Sequence, residues 1–290
     1  MASARRSPPA RRSRRSSSAT CAARCRKRAV GTTTPTASPA APDPPRRSRP
    51  QARGSRWPAA RAAIFDMDGL LVDSEPFWRR VETDVFDALG VDIRPLIAGG
   101  ATMGMRVDEV VGYFRELLDW GEPGDPELVR RIADGVVAAV WSEGALMPGA
   151  LDALDYMAER GLTLALASGS THPVIEAVLD RFDLRPRFAA VCSADDDTLG
   201  KPHPALFLRT AATIGAGALE CVVLEDAVNG CIAAKAARMR VVAVPDPEHF
   251  ADARFAIADA KLASLLELED GRVERLLGLR LRPEASREAS

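Results

Sequence analysis

Asp66-Met67-Asp68-Gly69 places two carboxylates two residues apart, directly after the apolar run Ala62-Ala63-Ile64-Phe65. Three further stretches complement it: Ser168-Gly169-Ser170, Gly200-Lys201-Pro202, and Glu225-Asp226 followed by Asn229-Gly230. Moving a phosphoryl group needs a nucleophile, a divalent cation, donors for the equatorial oxygens and an acid for the leaving group. Asp66 suits the nucleophile, which would carry the group as an aspartyl-phosphate. Asp68 is the candidate general acid, and later the base that activates water. Glu225 and Asp226 offer hard oxygen ligands for Mg2+, with Asp66 and the Asp68 backbone carbonyl completing the protein's share. Lys201 can hold the phosphate and screen the clustered carboxylates. Ser168, with neighbouring backbone N–H groups such as that of Gly169, can donate to phosphoryl oxygens.

Each stretch alone has a plainer reading. An aspartate at a strand end often caps a helix, Ser-Gly-Ser is usually a turn, Gly-Lys-Pro is usually a loop, and Glu225-Asp226 could cap the helix that follows. Together these readings weaken. Several carboxylates gathered at one edge repel one another unless a cation accompanies them.

The elements that must position these residues follow a regular alternation. Short apolar runs at 62–65, 162–167, 189–191, 221–224 and 241–244 read as buried parallel strands. Helical periodicity fills 149–160, where Leu151, Leu154 and Met157 share a face, and also 173–182, 204–214 and 228–239. This predicts an α/β fold: a Rossmann-like, doubly wound parallel sheet with helices on both faces. Ligands in such sheets bind at the carboxyl ends of the strands, where all four stretches fall. Residues 77–147 break the alternation with helical patterns over 77–89, 106–118 and 126–141 and no convincing strand. They predict an inserted, small all-helical cap between core segments 61–76 and 148–268, leaving 269–290 as a C-terminal tail whose final part, from 272, is frayed.

The net charge of −1 conceals two populations: residues 1–60 hold fifteen basic side chains and one acid, Asp43, so an acidic body follows a basic arm. The arm is rich in Arg, Ser, Ala and Pro and too poor in apolar surface to offset its ordering entropy, so it reads as disordered. It fits a solvated extension, an over-long start, or a transit peptide that would direct an otherwise cytoplasmic protein to a plastid or mitochondrion. Charge alone also permits a nucleic-acid arm, but Trp57 is the arm's one aromatic for stacking, so no nucleic-acid partner is expected. Arg14-Arg15-Ser16 lacks the apolar stretch of an export signal, and no run of about 18 apolar residues exists to span a membrane. Five cysteines and three histidines show no zinc-ligand spacing, so buried reduced thiols are expected. A monomer acting on a small phosphorylated metabolite is the expected state.

The order of the four stretches resembles the haloacid dehalogenase (HAD) superfamily. Its first motif stands here as Asp66-Met67-Asp68-Gly69-Leu70-Leu71-Val72-Asp73-Ser74-Glu75, its second as Ser168, its third as Lys201 in Gly-Lys-Pro-His-Pro, and its fourth as Glu225-Asp226-Ala227-Val228-Asn229-Gly230. The resemblance covers about residues 61–268 and is greatest to the β-phosphoglucomutase-like branch. Within that branch it points to sugar phosphatases acting on 2-deoxyglucose 6-phosphate or hexitol phosphates. It implies Mg2+ as cofactor. It also implies that Arg106, in Met103-Gly104-Met105-Arg106-Val107-Asp108, sits over the phosphate or the sugar hydroxyls, and that Glu75 lies near the substrate and cap.

Departures separate the relatives. Asp68 is present, unlike in metal-free dehalogenases of the superfamily. Residues 77–147 contain no lysine, which disfavours a phosphonoacetaldehyde hydrolase and a β-phosphoglucomutase. Trp78 stands where the mutase carries a histidine. A sugar phosphomutase and a non-enzymatic phospho-ligand or nucleic-acid binder are the alternatives. Trp78, Trp120 and Trp141 could stack on a substrate, but packing between cap and core is the plainer expectation for all three.

Overall fold

In the computed structural model the described residues are 58–278, except Gly99, Ala101 and Asp270. The readings made for the basic arm up to residue 57 and for residues 279–290 lie outside them. Six parallel strands form one sheet in the order β3-β2-β1-β4-β5-β6. These are β1 (Ala62–Phe65), β2 (Thr163–Ser168), β3 (Ala190–Ser193), β4 (Cys221–Glu225), β5 (Arg240–Ala243) and β6 (Ala260–Lys261). β1 is central, with Phe65 opposite Leu166 of β2 and Leu224 of β4. The chain leaves β1 toward β2 and β3 on one side and returns to β4 and β5 on the other. That reversal opens a crevice beyond the carboxyl end of β1.

Side chains alternate between the two faces of each strand, so each strand feeds two cores. Ala63 and Phe65 enter one cluster with Leu164, Leu166, Val222 and Leu224. Ala62 and Ile64 enter the other with Ala165, Ala167, Cys221 and Val223. Each fully buried Leu, Ile or Phe contributes roughly 1.5–3 kcal/mol, and burial on both faces explains the unbroken apolar runs. Helices α5 (Ala150–Glu159), α6 (His172–Arg181), α7 (Ala205–Thr213) and α8 (Val228–Ala236) connect the strands. Cys192, Cys221 and Cys231 are buried and free. Among the described residues no helix is long and apolar enough to cross a membrane.

Between β1 and α5 lie α1 (Glu75–Asp87), α2 (Arg94–Ile97), α3 (Val107–Leu117) and α4 (Asp125–Glu143). They build a third apolar cluster, in which the Phe86 ring meets Phe114 and Trp120 edge-on at centroid distances of 5.4 and 5.1 Å. The far end of α4 joins the main core instead, through Val136, Ala139 and Val140. Entry and exit of this insert run side by side: Asp73 N donates to Ala145 O at 3.0 Å, and Met147 N to Leu71 O at 2.9 Å.

Some expectations need correction. Trp120 packs inside the insert rather than between insert and core, and Trp141 is 51% exposed. Leu151 is also exposed, while Leu154 and Met157 of the same helix are buried. The stretch from 272, read as frayed, contains most of a helix, α9 (Gly271–Leu277). Its Val273 is fully buried, and its Glu274 pairs with Arg160 at 2.8 Å.

Candidate active site

The ladder of β1 continues one residue past the strand, because Asp66 N donates to Leu224 O at 3.0 Å. That bond fixes the Asp66 side chain at the head of the crevice, where it is 5% exposed. The chain then turns tightly, with Leu71 N on Met67 O and Gly69 N on Val72 O. Gly69 has φ +70°, and a Cβ there would stand 2.2 Å from Asp226 Oδ2. Only glycine therefore admits both the turn and the approach of Asp226. At Gly230, inside α8, space alone requires glycine, since a Cβ there would lie 1.6 Å from Glu225 Oε1.

Lys201, buried in the loop before α7, sends its ammonium to Asp66 Oδ1 and Glu225 Oε1, both at 2.6 Å. Glu225 Oε2 accepts the backbone N–H of Ala227 at 2.9 Å. Asp66, Glu225 and Asp226 each bring a carboxylate oxygen within 4.8 Å of the others, and all three residues are buried. Burial pushes the Asp66 carboxyl up to about 8, an effect that Lys201 partly offsets and Glu225 and Asp68 reinforce. Asp226 is raised well above the ordinary carboxylate range, by burial first and then by Glu225 and Asp66. Burial alone would lower the Lys201 ammonium, but Asp66 and Glu225 outweigh it and hold it above its usual value. Three buried carboxylates facing one ammonium leave an excess of negative charge. A divalent cation with a preference for hard oxygens would neutralise it, so the donor set fits Mg2+.

Asp68 is surrounded by donors. Ser74 Oγ and Trp78 Nε1 donate to its Oδ1 at 2.6 and 3.1 Å. Ser170 Oγ and Ser168 Oγ donate to its Oδ2 at 2.7 and 3.1 Å. Ser168 is fully buried and also accepts Ser170 N at 2.9 Å. Its hydroxyl is thus turned to Asp68, and Gly169 and Ser170 rather than Ser168 line the cavity. The sequence does not single out Ser74, Trp78 and Ser170 as Asp68 partners; a tryptophan ten residues after Asp68, whose indole N–H needs an acceptor when partly buried, is the signal it carries.

Asp66, Asp68, Lys201 and Asp226 open onto a cavity of about 770 Å3, mouth included. Its opposite wall comes from the insert and includes Glu75, Trp78, Glu82, Met103, Met105 and Val110. Glu75 lines this cavity, with its carboxyl raised to about 7 by burial and then by Asp68. Arg106 does not. Its guanidinium donates to Ala194 O at 3.0 Å and Asp197 O at 2.6 Å, and its Nε to Asp108 at 2.8 Å. It does not line the cavity. Ala194 O already accepts Asp197 N at 3.0 Å in the turn after β3, and the five-donor fork of an arginine reaches its second lone pair and Asp197 O together. Glu109 adds to this junction by accepting Gly200 N at 2.8 Å.

The haloacid dehalogenase-like hydrolase family matches residues 60–238. Hexitol phosphatase B of Escherichia coli (strain K12) is 47% identical over 207 residues, which is 71% of this chain and 93% of that protein. The crystal structure of CbbY from Rhodobacter sphaeroides in complex with phosphate superposes with a TM-score of 0.66 at 28% identity, covering 77% of this chain and all of that one. β-Phosphoglucomutase from Clostridium difficile, at 20% identity and a TM-score of 0.65 over 75% of this chain and 97% of that one, shares the fold. Family match, fold and the order of the strand-end residues agree: this chain is an enzyme of the haloacid dehalogenase-like hydrolase family.

Proposed function

We propose that this enzyme is a Mg2+-dependent phosphatase of small sugar or sugar-alcohol phosphates, of the 2-deoxyglucose 6-phosphate or hexitol phosphate type. One observation carries the reading: Asp66, Asp68 and Lys201 line the same wall of one cavity, beside three clustered carboxylates. The similarity to hexitol phosphatase B supports the substrate class.

In the proposed sequence an Asp66 oxygen attacks phosphorus, and the bond from phosphorus to the sugar oxygen breaks. Asp68 gives its proton to the departing oxygen. Water then loses a proton to Asp68 and attacks the aspartyl-phosphate, which releases phosphate and restores the Asp66 carboxylate. Lys201 steadies the Asp66 carboxylate and lies close enough to screen the incoming phosphate. Asp66, Asp226, Glu225 and the Asp68 carbonyl would hold Mg2+. The ion would supply charge neutralisation at the phosphoryl oxygens. The helical insert acts as the cap, excluding water while the ester is cleaved.

Phosphate release across sugar, polyol, nucleotide and glycolate phosphates, with Mg2+ or EDTA, tests the reading. Mg2+-dependent turnover favouring a hexose or hexitol phosphate is expected. An isomeric sugar phosphate appearing without free phosphate would establish the mutase alternative instead.

A further inference from the structure

Helix α1 turns a polar stripe toward the cavity. Glu75, Trp78, Arg79 and Glu82 recur at three- and four-residue spacing, so they share one face, and all four line the cavity. Trp78 is bonded to Asp68. Arg79 faces Glu75 at 4.0 Å and Glu248 at 3.9 Å. Glu82 is only 7% exposed, and no hydrogen bond or ion pair to another described residue engages its carboxyl. The insert's other contribution to this wall is largely apolar, from Ile97, Met103, Met105, Val107 and Val110. A buried carboxyl without a partner is destabilising, and a hydroxyl-bearing ligand in the cavity would satisfy it.

We infer that Glu82 is a specificity-determining residue, binding hydroxyl groups at the non-phosphorylated end of the substrate. It selects an uncharged polyhydroxy chain over one carrying a second anionic group. The inference rests on the phosphatase reading and extends it to the far wall of the cavity. Burial, with the charge of Glu75 added, pushes the Glu82 carboxyl up to about 8. It is therefore neutral at pH 7 and offers one donor and acceptor oxygens together, which suits neighbouring hydroxyls. A second phosphate would find no uncommitted cation at this wall, because the cations lining the cavity, Lys201 and Arg79, already face carboxylates.

The test compares Glu82→Leu and Glu82→Gln with the unaltered full chain. The substrates are glucitol 6-phosphate, p-nitrophenyl phosphate and fructose 1,6-bisphosphate. Glu82→Leu should lower kcat/KM for glucitol 6-phosphate about 10- to 100-fold, mainly through KM, and leave p-nitrophenyl phosphate within about threefold. Glu82→Gln keeps shape and hydrogen bonding, so it should lose less than about tenfold, and it stands as the test if the leucine variant fails to fold. Turnover of the bisphosphate relative to glucitol 6-phosphate should rise in Glu82→Leu, which loses the hydroxyl contact, and stay within about threefold in Glu82→Gln, which keeps it. Equal losses on glucitol 6-phosphate and p-nitrophenyl phosphate, or no loss on either, would overturn the role of Glu82 alone. An unaltered enzyme that cleaves no ester would overturn the phosphatase reading and this inference with it.

Discussion

Asp68 receives hydrogen bonds from Ser74 in the linker, Trp78 in α1, and Ser168 and Ser170 at the end of β2. Both of its oxygens are aimed by groups from the insert side and the core side at once. Trp78→Phe removes one of the four donors while keeping most of the packing. It should lower kcat about three- to tenfold, the worth of one ordinary hydrogen bond, with little change in the urea midpoint. Steady-state kinetics at saturating substrate would check this, and an unchanged kcat would remove Trp78 from the site. Glu82 makes a prediction of opposite kind. Its value in the folded protein, about 8, lies above the ordinary 4.5, so the folded state favours the protonated form. That contribution is fully present below about pH 4.5 and is lost as pH rises through 8. Glu82→Gln cannot ionise, so it should match the unaltered protein near pH 5 and exceed it near pH 9 by on the order of 2–4 kcal/mol. Urea unfolding at the two pH values measures the difference, and parallel stability profiles would contradict it.

At the scale of elements, the start of α3 acts as a fastener between insert and core. Arg106 reaches Ala194 and Asp197, and Glu109 reaches Gly200, the residue before Lys201. Arg106→Ala should therefore raise KM by roughly three- to thirtyfold and spare kcat, because it loosens a junction without touching the reacting atoms. A loss confined to kcat would place Arg106 in the chemistry after all. The sequence pattern made β1, β2 and β4 legible because burial on both faces leaves continuous apolar runs. It made Asp66, Asp68, Lys201, Glu225 and Asp226 legible because they follow those runs. β6 has two residues and α2 has four, too few for any periodicity to register. Arg106 was misplaced for another reason: its acceptors lie 88 and 91 residues away, and only the packed loop after β3 brings them near. The stripe of Glu75, Arg79 and Glu82 has the spacing of a solvated helix face, and nothing local says that a cavity replaces solvent there.

Across the whole molecule, the first strand, the second strand and the fourth strand deliver their ends to one crevice, and the insert between β1 and α5 supplies its other wall. Binding at that junction should stabilise the entire fold, because the carboxylate cluster exists only when β1 and β4 are paired. Mg2+ at a hundredfold excess over its Kd should stabilise the protein by about 2.7 kcal/mol, seen as a higher Tm that EDTA reverses. Asp226→Asn should abolish that shift, and a shift that survives the substitution would move the metal elsewhere. Whether Asp66 carries the phosphoryl group is read by quenching turnover of a 32P-labelled hexitol phosphate in acid, with Mg2+ present, and mapping the trapped label. A hydroxylamine-sensitive phosphoryl group is expected on the peptide containing Asp66, absent in Asp66→Asn together with phosphate release. Label on another residue, or full turnover by Asp66→Asn, would contradict this role of Asp66.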